Sequence, residues 1–340
     1  MAREKTESRI AFISFLQFIG VISVIFGHSM NGISAPGLLT DIKAWIYTWH
    51  MPLFFFVSAF LFAYKGGYDQ GYKNVLSKRF WRLLVPYVIW NAAFIIPKYL
   101  LMPLLGDVTK DTAVEFSVQY FIRIILRPRD NILGHTWFLF ALFEMFLIAI
   151  LFDKARRKKE LWIPITLVLI IINCFGVENR WLAVGDLMKN GVFFWCGLLL
   201  GSFKPDDVAT WLKDKWLVGS AILIVIGSTI VWIFNSDLNI NTVVLGITVL
   251  FLFMIIQLLS GIRGGLIEFV SRNSFPIYIM HWPIIMVLRL FFYQKIGLPP
   301  VPSMIINLVL GFGIAYGITY LLRKIKTPWI QKICTVVFGM

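Results

Sequence analysis

The sequence predicts an all-α integral membrane protein, a single bundle of about ten transmembrane helices. Hydrophobic residues make up 59% of the 340-residue chain, charged residues only 15%, and the mean hydropathy is +0.78. These values are far from those of a soluble domain. Apolar stretches of about 20 residues, the length that crosses a bilayer as a helix, also recur with short polar breaks between them. Residues 1–340 are therefore expected to form one domain embedded in the lipid bilayer.

Ten apolar stretches qualify as membrane-spanning helices. They are residues 9–30, 43–64, 82–105, 135–152, 161–176, 186–203, 216–234, 240–260, 272–294 and 301–322. The first follows Arg3, Lys5 and Arg9 and lacks a small-residue cleavage site, so we expect a retained helix rather than a signal peptide. Residues 106–134 are amphipathic and break at Pro128, which favours an extracytoplasmic loop with a surface helix. If this stretch crossed instead, every later helix would be inverted.

The basic residues are distributed as in a membrane protein rather than a nucleic-acid-binding protein. The net charge is +14, but Lys and Arg form short clusters between the apolar stretches, so we expect no nucleic-acid partner. Placing the N-terminus in the cytosol puts 22 of the 32 basic residues in or beside cytosolic segments. Because basic residues favour the inner side, we expect a protein of the cytoplasmic membrane with both termini in the cytosol. The clearest inner loops are 78–82, 154–160 and 323–326.

The three cysteines indicate neither a disulfide framework nor a metal site. Cys174, Cys196 and Cys334 are scattered and mostly lie inside apolar stretches. Their spacing matches no set of metal ligands, so we expect no bound metal.

Ionisable side chains inside a bilayer are costly, and those that remain are candidates for function. The candidates are His28, His50, His135, Glu144, Asp186, Lys189, His281 and Arg289. We favour His28 as the catalytic residue, because a neutral imidazole can accept a proton from a hydroxyl. The alternative is a histidine that only binds a backbone carbonyl.

The other histidines and Glu144 carry weaker arguments. His28, His50 and His135 are expected at a similar depth near the outer ends of their helices. His50 and His135 neighbour Trp49 and Trp137, so they could belong to an aromatic belt at the membrane interface instead. Glu144 is a cavity candidate whose alternative is a buried structural group.

A polar stripe runs along the first span. Gln17 and His28 are 11 residues apart and share a helix face, separated by roughly 16 Å. Such a stripe suits a reaction whose two substrates arrive from opposite sides. The alternative is that Gln17 and Ser14 hydrogen-bond to a neighbouring helix.

The inner basic cluster Lys78, Arg79 and Arg82 could hold the phosphates of a cytosolic cofactor. The alternative is the ordinary excess of positive charge on the inner side.

Five segments follow one another in an order that resembles a known family. They are FLQFIGVISVIFGHS, WHMPLFFFVSAFLF, KRFWRLLVPY, HTWFLFALF and SRNSFPIYIMHWPII. The ordered set, which spans residues 9–290, resembles the acyltransferase 3 family of membrane acyltransferases, and within it the sugar O-acetylase branch of fucose 4-O-acetylase-like proteins.

The resemblance implies acyl-CoA-dependent O-acylation of an extracytoplasmic or lipid-linked glycan, with acetyl-CoA as the donor. It makes the histidine of the first span, here His28, the catalytic residue. The match in the ninth span implies that Tyr278 and His281 line the same cavity. Trp137, at the start of the fourth span, is a further candidate for the cavity lining. Direct transfer and an acyl-histidine intermediate both agree with the sequence.

The chain departs from the family at two positions. The family usually has a basic residue 11 positions before the histidine and an acid three residues earlier, where this chain has Gln17 and Ser14. We expect Arg79 or Arg82 to supply the missing contact with the donor.

Two rival functions come from other classes. A glycan exporter of the same fold would need a polar-lined bundle, but no inverted repeat is visible in the sequence. A structural or regulatory membrane subunit would follow if Gln17 marks a loss of catalysis.

Overall fold

The computed structural model describes residues 10–34, 36–96, 117–176, 179–235 and 239–340. Within these ranges all regular structure is helical, which confirms the predicted all-α fold class. The helices are α1 (Ala11–Ser29), α2 (Gly37–Tyr47), α3 (His50–Tyr64), α4 (Tyr72–Arg79), α5 (Val85–Ala93), α6 (Val118–Leu126), α7 (Trp137–Arg156), α8 (Trp162–Phe175), α9 (Val184–Leu200), α10 (Pro205–Leu212), α11 (Lys215–Phe234), α12 (Asn239–Ser260), α13 (Gly265–Arg272), α14 (Ser274–Leu288), α15 (Pro300–Lys324) and α16 (Pro328–Phe338).

Eight helical segments of the described chain are long and apolar enough to cross a membrane. They are Ala11–Ser29, Gly37–Tyr64, Gly134–Arg156, Trp181–Leu200, Lys215–Phe234, Asn239–Ser260, Ser274–Lys295 and Pro300–Lys324. Each overlaps one of the ten predicted spans. These helices make the protein a multi-pass membrane bundle.

Of the remaining two predicted spans, one is shorter than predicted and the other is described only in part. The predicted span 161–176 is helix α8 of 14 residues, shorter than the about 20 that a full crossing needs. The predicted span 82–105 is described only as far as residue 96. It begins in a π-helical turn, Phe80–Leu84, which continues directly into α5. Its second half lies outside the described residues.

Helix α1 lies at the centre of the bundle. It packs against α3, α12, α13, α14 and α15, so Leu16 and Ile25 are fully buried. Helix α11 lies at the periphery, where Leu223 is 71% and Phe234 is 85% exposed. Apolar exposure of this extent is expected where lipid rather than water covers the protein.

Helices α3 and α9 approach each other so closely that their backbones touch. A Cβ atom added to Gly197 would lie 2.2 Å from the carbonyl oxygen of Phe56, and one added to Gly201 would lie 2.3 Å from that of Phe60. The two glycines are four residues apart and therefore lie on one face of α9. Small residues at this spacing are typical of tightly packed membrane helices.

The loop predicted at 106–134 contains α6, preceded by residues that lie outside the described chain. Tyr120 and Ile124 are buried against the bundle, whereas Val118 is 77% and Ile125 is 52% exposed. The helix therefore has one buried and one exposed face. On which side of the membrane it lies stays a prediction.

Candidate active site

A cavity of about 490 Å³ lies at the end of the bundle where α1 ends and α3, α7 and α9 begin. Seven of the candidate residues line it, namely His28, His50, His135, Trp137, Asp186, Lys189 and Tyr278. The chain directions explain this meeting, because α1 runs toward this end of the bundle and the other three helices start there. Residues far apart in the sequence thus share one depth.

Three histidines from three different segments form a cluster. His28 is in the last turn of α1, His135 precedes α7, and His281 lies in the middle of α14. The ring centroids are 5.2 Å apart for His28 and His281, 5.4 Å for His135 and His281, and 6.1 Å for His28 and His135. In the part of the chain that the structure describes, no group of His, Cys, Asp and Glu side chains is arranged to hold a metal ion.

Asn31 and Lys43 determine which nitrogen of His28 carries the proton. Lys43 Nζ donates to Asn31 Oδ1 over 2.6 Å, and an ammonium group can only donate. The amide nitrogen of Asn31 therefore faces His28 Nδ1, 2.9 Å away, and donates to it. Because Nδ1 accepts a hydrogen bond, the neutral imidazole of His28 carries its proton on Nε2.

Arg289 fixes the backbone of Asn31. Its Nη1 donates to the carbonyl oxygen of Asn31 over 2.8 Å. The next residue, Gly32, has a φ of +69°, and a Cβ there would lie 2.5 Å from Arg289 Nη1. Only glycine combines this backbone conformation with room for the guanidinium.

Tyr278, which also lies on α14, forms hydrogen bonds with both His281 and His135. His281 Nδ1 hydrogen-bonds to the carbonyl oxygen of Tyr278, and the Tyr278 hydroxyl donates to the carbonyl oxygen of His135. A fourth histidine, His50, has its Nδ1 3.0 Å from the carbonyl oxygen of Ile46. His281 Nε2 is buried and has no hydrogen-bond partner among the described residues. Buried polar atoms of this kind are rare and are commonly found at functional sites.

An ion pair between the buried Asp186 and the partly exposed Arg129 forms part of the cavity wall. Both carboxylate oxygens of Asp186 accept hydrogen bonds from Arg129, whose guanidinium lies 3.9 Å from the ring centroid of Trp137. Asn190 Nδ2 donates to the backbone carbonyl of Asp186 over 2.8 Å. Sequence reasoning noticed Asp186 and Lys189 but missed Arg129, because nothing in its loop indicates that it folds back onto α9.

Asn31, Tyr47 and Trp282 were also missed. Asn31 and Tyr47 line the cavity, and the Trp282 ring lies 4.7 Å from that of His28. These are common residue types at helix ends. The one available signal was their position within a helical turn of His28, His50 and His281.

Four residues predicted for the cavity are not part of its lining. Gln17 Oε1 accepts a hydrogen bond of 2.7 Å from Ser271 on α13, and Ser14 is buried one turn earlier on α1. Glu144 lies well inside α7, and its Oε2 is buried without a partner among the described residues. His281 is fully buried and reaches the cavity only through its neighbours in the histidine cluster.

The basic residues predicted to hold the donor lie near the other end of the bundle. Lys78 Nζ donates to Gln70 over 2.8 Å, and Arg82 is exposed. The Arg79 guanidinium lies over the rings of Phe146 and Phe62, with centroid distances of 4.1 Å and 5.8 Å.

A network of ion pairs stabilises the neighbouring loop. Asp153 accepts from both Arg156 and Arg157, and Arg157 also donates to Asp69 over 3.1 Å. The hydrogen bonds to Asp69 and Asp153 raise the pKa of Arg157 above its usual value. The basic segment 154–160 is therefore attached to the segment that precedes α4.

Comparison with known protein families identifies the family of the chain. A family model described as an acyltransferase domain matches residues 10–324, which is nearly the whole chain. No curated protein and no solved structure gives a significant match. With a membrane bundle and a histidine-lined cavity at one end, the chain belongs to the acyltransferase 3 family of membrane acyltransferases.

Proposed function

We propose that this acyltransferase moves an acetyl group from cytosolic acyl-CoA to a hydroxyl of an extracytoplasmic or lipid-linked glycan, with His28 as the general base. The observation that carries the proposal is the position of His28. Its imidazole lines the cavity, and Nδ1 has a lone pair that already accepts a hydrogen bond from Asn31. A substrate hydroxyl that replaced the Asn31 amide would donate to the same lone pair.

The reaction needs a base because a hydroxyl is a poor nucleophile at neutral pH. His28 Nδ1 takes the hydroxyl proton while the hydroxyl oxygen bonds to the thioester carbonyl carbon. The carbon–sulfur bond then breaks, and the proton returns from His28 to the leaving thiolate. The products are the ester and free CoA, and the imidazole is restored.

The cavity lining supports a sugar as the acceptor. Tyr47 and Trp137 present aromatic rings, and Thr48 and Asn190 present hydrogen-bonding groups. A few polar groups among larger apolar surfaces can fix the orientation of a small polyhydroxylated ligand. This mixed lining favours the sugar O-acetylase branch of the family.

The inner basic cluster supports a donor that enters from the opposite end. The Arg79 guanidinium lies over Phe62, which is 12 residues along α3 from His50 and hence about 18 Å from the level of the histidines. The nucleotide phosphates of acyl-CoA would bind at Lys78, Arg79 and Arg82. The long arm of the cofactor would carry the thioester toward His28.

The test uses the purified chain in liposomes with radiolabelled acetyl-CoA and simple glycosides as acceptors. We expect transfer by the wild type and a loss of about 10²- to 10⁴-fold in His28→Ala, the usual contribution of a general base. Ile22→Ala, a truncation of a partly exposed side chain in α1 away from the cavity, controls for folding and insertion. A loss smaller than about tenfold in His28→Ala would contradict the proposed base. Glycan flux without any consumption of acetyl-CoA would support an exporter instead.

A further inference from the structure

His281 contributes a buried lone pair to the histidine cluster. Its Nδ1 faces the carbonyl oxygen of Tyr278, which can only accept, so the proton of the neutral imidazole is on Nδ1. The lone pair is therefore on Nε2. The side chain is fully buried, and Nε2 has no hydrogen-bond partner among the described residues.

The protonation of His28 is complementary to that of His281. Asn31 donates to His28 Nδ1, so the N–H group of His28 is on Nε2. The two ring centroids are 5.2 Å apart, with 51° between the ring planes. A hydrogen bond of about 2.9 Å between two ring nitrogens fits rings at this separation after a modest rotation.

From this pairing we infer that His281 is a positioning residue that takes up the Nε2 proton of His28 during acyl transfer. The inference rests on the proposed function and extends the proton transfer from one histidine to two. A carbonyl bound to Nδ1–H is a common way of fixing the tautomer of a histidine that must accept a proton at Nε2. The Tyr278 carbonyl has this role for His281.

The proton steps balance. The substrate hydroxyl gives its proton to His28 Nδ1 as its oxygen bonds to the acyl carbon, and His28 passes its Nε2 proton to His281 Nε2. When the carbon–sulfur bond breaks, His281 returns its proton to His28 Nε2 as His28 Nδ1 donates its proton to the thiolate, so His28 ends as the neutral imidazole. The imidazolium charge is thus moved away from the reacting atoms while the acyl group is transferred.

His135 is less suited to this role. Its ring centroid is 6.1 Å from that of His28, whereas the ring centroid of His281 is 5.2 Å away.

The kinetic test is His281→Gln, which retains an acceptor oxygen at a similar reach but cannot take a proton. We expect kcat to fall about 10²-fold while KM for acetyl-CoA and for the acceptor stays within about twofold, because neither substrate touches His281. Met280→Leu, a buried apolar exchange on the same helix, should keep the wild-type kcat. In His281→Ala, added imidazole should restore part of the rate. A kcat of His281→Gln within about threefold of wild type would overturn the inference.

A second measurement does not depend on activity. Nitrogen-15 NMR of the wild-type protein with labelled histidine should show His281 protonated on Nδ1 and His28 on Nε2. Either opposite tautomer would overturn the inference even if the variant is inactive. If the wild type transfers no acyl group while both tautomers are as expected, the proposed function fails and the histidine pairing stands.

Discussion

Lys43 Nζ donates a hydrogen bond of 2.6 Å to Asn31 Oδ1, and this contact decides which atom of the Asn31 amide faces the imidazole of His28. Neither residue stands out in the sequence, since both lie in the short connection and helix that follow α1. Together they keep the Nδ1 lone pair of His28 unprotonated. The state of the proposed base is therefore set by residues that need not touch the acyl donor.

Asn31→Asp should impair catalysis more than Asn31→Ala. A carboxylate only accepts hydrogen bonds, so it would draw the proton of His28 onto Nδ1 and remove the lone pair that a hydroxyl needs. Alanine leaves Nδ1 free. We expect kcat of the Asp variant to be at least about tenfold below that of the Ala variant, measured as acetyl transfer in liposomes. Equal rates in the two variants would show that the tautomer of His28 does not limit transfer.

Arg79→Ala together with Arg82→Ala should raise the apparent KM for acetyl-CoA more than it lowers kcat. Contacts to phosphates far from the reacting carbon stabilise the bound donor and the transition state to a similar degree. Donor saturation curves check this, with Lys73→Ala on α4 as the control for loss of an exposed charge. Because Arg79 also packs over Phe146, Arg82→Ala alone separates donor binding from packing. An unchanged KM for acetyl-CoA in both variants would mean that the cluster does not bind the donor and only contributes to the positive charge of the inner side.

Gly197→Ala and Gly201→Ala should destabilise the bundle. Each added methyl would lie 2.2–2.3 Å from a carbonyl oxygen of α3, and a backbone cannot yield as a flexible side chain does. Overpacking of this kind typically costs about 1–3 kcal/mol. We expect a lower melting temperature in detergent for either variant. Gly219→Ala on the peripheral α11, where a Cβ meets no atom within 4 Å, should melt like the wild type.

The predicted topology places 154–160 in the cytosol and α6 outside. A cysteine at Lys158, in a chain whose Cys174, Cys196 and Cys334 are replaced, should react with an impermeant maleimide only in inside-out vesicles. A cysteine at Val118, which is 77% exposed, should react only in right-side-out vesicles. The reverse pattern would invert every helix and put the histidine cavity at the cytosolic end.

The sequence alone determined the fold class and the approximate limits of the long helices, and it singled out His28 as the candidate base. These are local properties, because a spanning helix needs a continuous apolar stretch, and a histidine inside one is conspicuous in any arrangement. The expectation of acyl transfer to a hydroxyl came from the family resemblance.

Only the tertiary structure decided which polar groups meet. Gln17 lies away from the cavity, where it accepts a hydrogen bond from Ser271. Arg129 pairs with Asp186. The ring centroids of His281 and His28 are 5.2 Å apart. Apolar helices in lipid have many compatible faces and neighbours, so hydropathy fixes their number and length but not their rotation or order. These are set by close packing and by the need to pair buried polar atoms, which depend on all the helices at once.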